Sequence, residues 1–600
     1  MCLASISEVY STMTKPNALV SAPYQEHTAS LWGAYASRCL MVSSVLALAA
    51  CSSTPLPPWP STPARTSSTS TAPANSPVGT TAANVVSINP VAPNKQLEVL
   101  PYSAEIAALF PEPAEHYNTP GLSEGRRSFT TNAELAELLQ TLSQQNSDHQ
   151  PRLGLLQSGN AQSGAPIYAL VASKGKAISA TALEETNLPT VMIVAGQQGT
   201  DAAATEALLV LAKELGTGGS LTNLLDKINV IFVPRANPDG FDKGTASTAN
   251  GTDLRFDHLL LQTPEARFLA KLARDYRPAV LLDIGEFAAI GPNIQRLNAV
   301  RANDVGLQYA LTPNAHEFIT KAAREWMHEP TAKALSQAGL RVDWAFDAVG
   351  SNAQDGYAMG TLDPTTLHNA SSLKHVVSME ADSRGGDLGR THLQRRVYSH
   401  VKTITTILQT AAQRGSDLRK VHAFVTRDIA SQACRSTLTV QALRQLEQRD
   451  IAMVDVSSAQ LVQKQVPWRS SMKITNPRTR STPCGYWLSA NAIEATERLS
   501  MLGINVERVG ELSSIQAEVY QSGTSTPSNG NTVPTVTLSR TTVEAAPGSF
   551  YISMNQPLAY LAAAALEPDT PYSYYSNGVI KHLAETARVV VPPNIVFDEE

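Results

Sequence analysis

Thr190-Val-Met-Ile-Val-Ala-Gly-Gln-Gln-Gly-Thr-Asp201 is the stretch on which the fold turns. Its first six residues form an unbroken apolar run, as expected of a strand covered on both faces, and the run stops at glycine in a polar loop. Downstream, Ala202–Leu215 carries apolar residues at helical spacing, and Ile228-Asn-Val-Ile-Phe-Val-Pro234 and Pro278-Ala-Val-Leu-Leu-Asp283 read as further buried strands. Helices are predicted over Pro264–Tyr276 and 313–338, and another strand over 374–380. Upstream, Arg152-Leu-Gly-Leu-Leu and Pro166-Ile-Tyr-Ala-Leu-Val flank a Gly/Ser turn and predict an antiparallel edge hairpin. The alternation defines an α/β class over 95–415: a mixed sheet flanked by helices. In such sheets ligands bind beyond the carboxyl ends of the strands. The loops that matter therefore begin near Gly196, Arg235, Gly285 and Glu380.

Residues 416–600 read differently, with short strand candidates such as Val421-His-Ala-Phe-Val425 and 535–542 and helices near 491–502 and 557–566. They predict a smaller α+β domain. The whole chain has 600 residues, 43% hydrophobic and 16% charged, which excludes both a single small module and wholesale disorder. A net charge of −5 lacks the basic field that a phosphate backbone requires, so nucleic acid is not an expected partner. The five cysteines form no C-x-x-C pair, which excludes a zinc ribbon or finger.

Residues 39–51 form an apolar run of signal-peptide length behind Arg38, too short to span a bilayer as a mature helix. Its end, Leu48-Ala49-Ala50-Cys51, resembles a bacterial lipobox. That resemblance implies cleavage before Cys51, lipidation of its thiol and, with Ser52 following, the periplasmic side of the outer membrane. Residues 1–37 are long for such a signal, and the expected translation start lies later than Met1. Residues 52–94, rich in Ser, Thr, Pro and Ala, read as a disordered tether. Cys434 and Cys484 are then the only cysteines of the exported body, and an oxidising compartment permits a disulfide between them.

Five stretches carry the chemistry: 190–201, Pro234-Arg-Ala-Asn-Pro-Asp-Gly-Phe241, Asn250-Gly-Thr-Asp-Leu-Arg-Phe-Asp-His258, Leu281-Leu-Asp-Ile-Gly-Glu-Phe287 and Ser378-Met-Glu-Ala-Asp-Ser-Arg-Gly385. Together, in this order, they resemble the carboxypeptidase A-like zinc metallocarboxypeptidases over roughly 100–415, and 550–580 resembles the C-terminal extension of bacterial members. The resemblance implies removal of a C-terminal residue from a peptide. It also implies zinc on two histidines and a carboxylate, with a glutamate as general base. In this chain the ligand positions are Gln198, Asp201 and Gly285, so both imidazoles are replaced. Glu380 matches the catalytic glutamate. Arg255 matches the carboxylate clamp displaced by one residue, with Phe256 in its place. Lys243 stands nearest the oxyanion-stabilising arginine, and Tyr357 matches the mobile substrate tyrosine.

Purely structural readings stand beside these. Glu380 can pair with Arg384, and Arg235 and Asp239 can brace the Asn-Pro-Asp-Gly turn. His316 and His328 are twelve residues apart on one predicted helix and do not share a face. His258, His368 and His375 approach the cleft if the family alignment holds. Two S-x-x-K matches lack their partner motifs, so a serine acyl enzyme is set aside. The expectation is a peptide-binding pseudoenzyme on an envelope lipoprotein, with zinc weak or absent. The alternative is an active metallocarboxypeptidase, on cell-wall or other peptides, with unusual ligands.

Overall fold

The apolar runs of the sequence become the middle of an eight-stranded sheet in the computed structural model, which describes residues 102–144, 152–175, 177–523, 526–528, 531–533 and 535–598. The signal segment 1–50, Cys51 and the tether to residue 94 lie outside the described residues. The strands are β1 (Arg152–Asn160), β2 (Pro166–Ser173), β3 (Thr190–Ala195), β4 (Asn229–Val233), β5 (Val280–Phe287), β6 (Val305–Tyr309), β7 (Val342–Trp344) and β8 (Val377–Arg384). Their order is β1-β2-β4-β3-β5-β8-β6-β7. The four strands β4, β3, β5 and β8 are mutually parallel and central; β2 and β6 run antiparallel to their core neighbours β4 and β8, and the edge strand β1 runs antiparallel to β2.

Every residue of β3 and β4 is buried, which accounts for continuous rather than alternating hydrophobicity. Helix α1 (Ala202–Leu215) is alanine-rich because it is buried nearly all round, packed against the sheet and against the 39-residue helix α2 (Leu393–Ser431), which also lies on the sheet. Glu206 lies fully buried in α1, accepting from Thr119 Oγ1 and from Thr130 N (3.0 Å) and Oγ1 (2.9 Å), and so ties the N-terminal segment to the core.

Helix α2 overturns one expectation. Val421–Val425, read as a strand, lies inside it, and the burial of Leu418, Val425 and Ile429 follows a helical spacing. The expected boundary at 415/416 also falls within α2, where Gly415 sits close to Pro189. Beyond α2, a long hairpin, Thr437–Asp455 and Leu461–Ser481, pairs with Ala299–Arg301 on one side and Tyr357–Met359 on the other. An additional C-terminal sheet domain follows, its six strands lying between Gly485 and Val589. Cys434 and Cys484 are disulfide-bonded (S–S 2.02 Å), linking the segment after α2 to the start of that sheet. Among the described residues no helix is long and apolar enough to cross a membrane.

Candidate active-site cleft

Beyond the carboxyl ends of β3, β5 and β8, three loops close on one another. The Asn-Pro-Asp-Gly turn acts as their brace. Asn237 accepts from Gly240 N at 2.9 Å and donates to Gln197 O at 3.1 Å, which fixes the 196–201 loop. The two loops are pressed so tightly that a Cβ on Gly199 would stand 2.0 Å from the Gly240 carbonyl carbon. Arg235 binds Asn132 Oδ1 and Thr130 O, both at 2.7 Å, and lies over the Phe241 ring. Asp239 accepts from Ser163 N at 2.9 Å. Both side chains thus tie the turn to neighbouring segments.

Register then sets the walls. In the parallel pair β5–β8, Asp283 lies opposite Glu380 and Gly285 opposite Asp382, so these four positions share one face. The cavity there is lined by Gln197, Gln198, Asp201, Arg255, residues 283–286, Glu380 and Asp382. Gln198, Asp201, Gly285, Glu380 and Arg255 are therefore brought together, as the sequence predicted.

Lys243 and Tyr357 are not. Lys243 is exposed at the end of a short helix, Pro238–Lys243, away from the cavity lining. Tyr357 is buried in the five-stranded sheet, its hydroxyl donating to Asn293 Oδ1 at 2.8 Å and its ring against Phe346, and it does not line the cavity. Nor does Arg384 pair with Glu380. Four residues along a strand is too far for that bridge, and Arg384 Nη1 instead donates to the Tyr102 hydroxyl at 2.9 Å.

The sequence reading missed Asp382 and Gln197 as lining residues. Asp382 was accessible from strand alternation, since it shares a face with Glu380. Gln197 relays a contact: its Nε2 donates to Asp283 Oδ1 at 2.6 Å while its Oε1 accepts from His258 Nε2 at 2.5 Å. His258 thus carries its proton on Nε2. Burial lowers its pKa to about 3, helped by Lys374 and His368, so the ring is neutral. His368 also comes to the site, its Nε2 3.9 Å from Glu380 Oε2, and burial holds it neutral with a pKa of about 3. His375 instead bonds the Pro557 carbonyl at 2.7 Å.

Carboxylates dominate the electrostatics. Burial, reinforced by Asp382, raises Asp283 to about 7, and burial with Asp283 alongside raises Glu380 to about 8. Asp201 and Asp382 are also pushed well up, first by burial, then by Glu286 and Glu380 respectively. Glu286 differs. Its fully buried carboxylate is held by Arg396 Nη2 at 2.5 Å and Nε at 2.7 Å and by Ala203 N at 3.1 Å.

These residues do not fit a catalytic zinc. Such a site needs three good protein ligands and one open position. The Gln198 amide is satisfied with its oxygen facing Arg255, 3.2 Å from both Nε and Nη2. Asp201 Oδ2 accepts from Gln198 N at 3.2 Å. Gly285 has no side chain to offer, and the space its Cβ would enter is flanked by Asp382 Oδ1 at 2.8 Å and Asp201 Oδ2 at 3.4 Å. No group of three or more His, Cys, Asp or Glu side chains suited to a metal occurs among the described residues.

The sheet order, the braced loops and a cleft at the strand ends define a mixed α/β protein with its candidate site beyond the carboxyl ends of the central strands. Residues 138–259 match the family model described as zinc carboxypeptidase. Carboxypeptidase 2 of Trichophyton rubrum is 25% identical over 410 residues, 65% of this chain and 74% of that protein. Carboxypeptidase 2 of Trichophyton tonsurans is 24% identical over 408 residues, again 65% and 74%. A metallo-carboxypeptidase from Pseudomonas aeruginosa, solved in complex with (2-guanidinoethylmercapto)succinic acid, has a TM-score of 0.35 and 16% identity over 48% of this chain and 69% of its own. Residues 138–259 of this chain are thus similar to zinc carboxypeptidases, and the similarity to the curated carboxypeptidases extends over about two thirds of its length.

Proposed function

We propose that this chain is a peptide-binding pseudoenzyme of the zinc carboxypeptidase family, anchored in a bacterial envelope through Cys51, that has given up zinc-dependent hydrolysis while keeping the cleft. The observation that carries the reading is the third ligand position: Gly285 supplies no donor, and two carboxylates flank the space beside it. Of the other two positions, the Gln198 oxygen is engaged by Arg255 and Asp201 supplies one short carboxylate. Loss of outer-shell partners alone typically costs roughly 10 to 100-fold in metal affinity or activity, so loss of both imidazoles costs more. Without a metal to activate water, Glu380 has no nucleophile to deprotonate.

Arg255 supports retained peptide binding. It lines the cleft with its guanidinium held by Asp253 (Nη2–Oδ2 2.8 Å), fixed as a donor for a carboxylate or carbonyl of the bound chain.

Elemental analysis of protein purified without chelator tests the reading. The expected result is zinc far below one per chain and no release of C-terminal amino acids. Near-stoichiometric zinc with peptide hydrolysis that disappears in Glu380→Gln overturns it. Localisation is tested separately: Cys51→Ser is expected to move the protein from membrane to soluble fractions, and continued sedimentation with membranes refutes the anchor.

A further inference from the structure

One edge of the C-terminal sheet is left open. The outer strand there, Val536–Ala545, is ten residues long and pairs with Ser513–Ser522 in one unbroken register, from Ser513↔Ala545 to Ser522↔Val536. Gly523 N donates to Thr535 O in the same register, so by the alternation of an antiparallel ladder the odd-numbered residues 537–545 are the ones bonded to the neighbouring strand. Gln516 O, which by that alternation points the other way, accepts from Val590 N on the far side. Val536, Leu538, Arg540, Thr542 and Glu544 therefore turn their N–H and C=O groups outward, where no other described strand pairs with them.

Such an edge is a template for another strand, and proteins blunt it by shortness, bulges or proline. The other sheet edges among the described residues are treated in that way. Val342–Trp344, Ala299–Arg301 and Phe346–Ala348 have three residues each, Glu507–Arg508 has two, and β1 is bulged between Gln157 and Gly159. The long hairpin is interrupted by register shifts. Val536–Ala545 carries no proline, no glycine and no bulge.

We infer that this strand pairs antiparallel with its own counterpart in a second copy of the chain, joining two C-terminal sheets across a two-fold axis. Charge complementarity selects both partner and register. Arg540 keeps 81% of its side-chain surface exposed although Glu518 lies 3.4 Å away, and the exposed Glu544 has no ion-pair partner among the described residues. An axis at Arg540 sets Arg540 against itself, and like charges directly opposite are unfavourable. With the axis at Ser539 or Thr541, Arg540 meets Leu538 or Thr542, and no charge finds its opposite. With the axis at Thr542, Arg540 faces Glu544 twice and Thr541 faces Val543 twice, so opposite charges and β-branched side chains are both matched.

Sedimentation velocity of the full chain, carrying Cys51→Ser to keep lipid off, tests this. A concentration-dependent monomer–dimer equilibrium is expected. Arg540→Glu and Glu544→Arg each oppose like charges at two positions and should each weaken the dimer about tenfold or more. An equimolar mixture of the two variants should recover it, since both positions are again oppositely charged. Thr542→Pro removes an outward N–H while sparing the inner ladder, and should abolish the dimer. Should that variant lose its cooperative unfolding transition, the mixture still decides, because two misfolded chains do not repair one another. A wild-type monomer at every concentration, a dimer indifferent to these variants, or a mixture that fails to recover overturns the inference. A monomer whose amides at 540, 542 and 544 resist hydrogen exchange assigns the edge to another segment of the same chain and refutes it as well.

Discussion

Replacing Glu380 with glutamine should make the protein more stable at alkaline pH and leave it nearly unchanged at acid pH. Glu380 has its pKa raised from 4.5 to about 8 by burial and by Asp283 beside it. A carboxyl whose folded pKa lies above its unfolded value keeps its proton in the folded protein after the unfolded chain has released it. Its favourable contribution is complete below pH ~4.5, falls as pH rises and is gone above about 8. A tenfold change in proton affinity corresponds to ~1.4 kcal/mol, so the full interval sets a ceiling of ~5 kcal/mol. The side chain retains 21% exposure, and Asp283 relaxes once its neighbour is neutral, so roughly 2–3 kcal/mol is the expected gain at pH 9. Urea unfolding of the wild type and Glu380→Gln at pH 5, 7 and 9 measures it. The variant's stability should decline less steeply between pH 5 and 8, by up to ~1.4 kcal/mol per pH unit. Parallel curves, or a variant less stable than wild type at pH 9, would show that Glu380 is ionised in the folded protein and refute the reasoning.

Three further outcomes are expected. Arg396→Met strands the buried Glu286 carboxylate and should cost about 3–5 kcal/mol in unfolding experiments, with Glu286→Gln in the same chain recovering a substantial part. Removing the Cys434–Cys484 bond by Cys434→Ser, Cys484→Ser releases a 50-residue loop and should cost ~4 kcal/mol in the chain-entropy model, read as a lowered urea midpoint. Gly199→Ala should be among the most disruptive single-methyl changes, because its Cβ meets Gly240 backbone that cannot turn aside; a melting temperature within a degree of wild type would show that the two loops part easily.

What the sequence disclosed follows from which forces are local. The strands 190–195, 229–233 and 280–287 were readable because burial on both faces writes itself as an uninterrupted apolar run. The Asn-Pro-Asp-Gly brace was readable because its cap and turn are made within a few residues. Val421–Val425 was misread because five residues rich in β-branched and aromatic side chains look like a strand, while the helical period appears only over the longer span from Leu418 to Ile429. Tyr357 and Lys243 were misplaced for another reason: where a loop points its side chains depends on what packs against it, here a hairpin eighty residues or more downstream for Tyr357. Asp382 needed only the two-residue period of its strand. The excess of buried carboxylates needed the register between β5 and β8, which no single segment encodes.

On the pseudoenzyme reading proposed above, the neighbourhood of Gly285 also bears on what it takes to give this cleft a zinc site. Writing a histidine at 285 brings its Cβ to 2.8 Å from Asp382 Oδ1, so the first restorative step meets resistance before any imidazole is useful. Changing Asp382 first relieves the crowding but yields no ligand, and changing Gln198 first leaves Arg255 without its amide partner. On this geometry each single step is expected to be neutral or unfavourable, and the combination is the one expected to offer a metal three ligands. The site behaves as a ratchet: a library of single substitutions should return no zinc-dependent revertant, and one that varies 198, 285 and 382 together is where such a revertant should be sought.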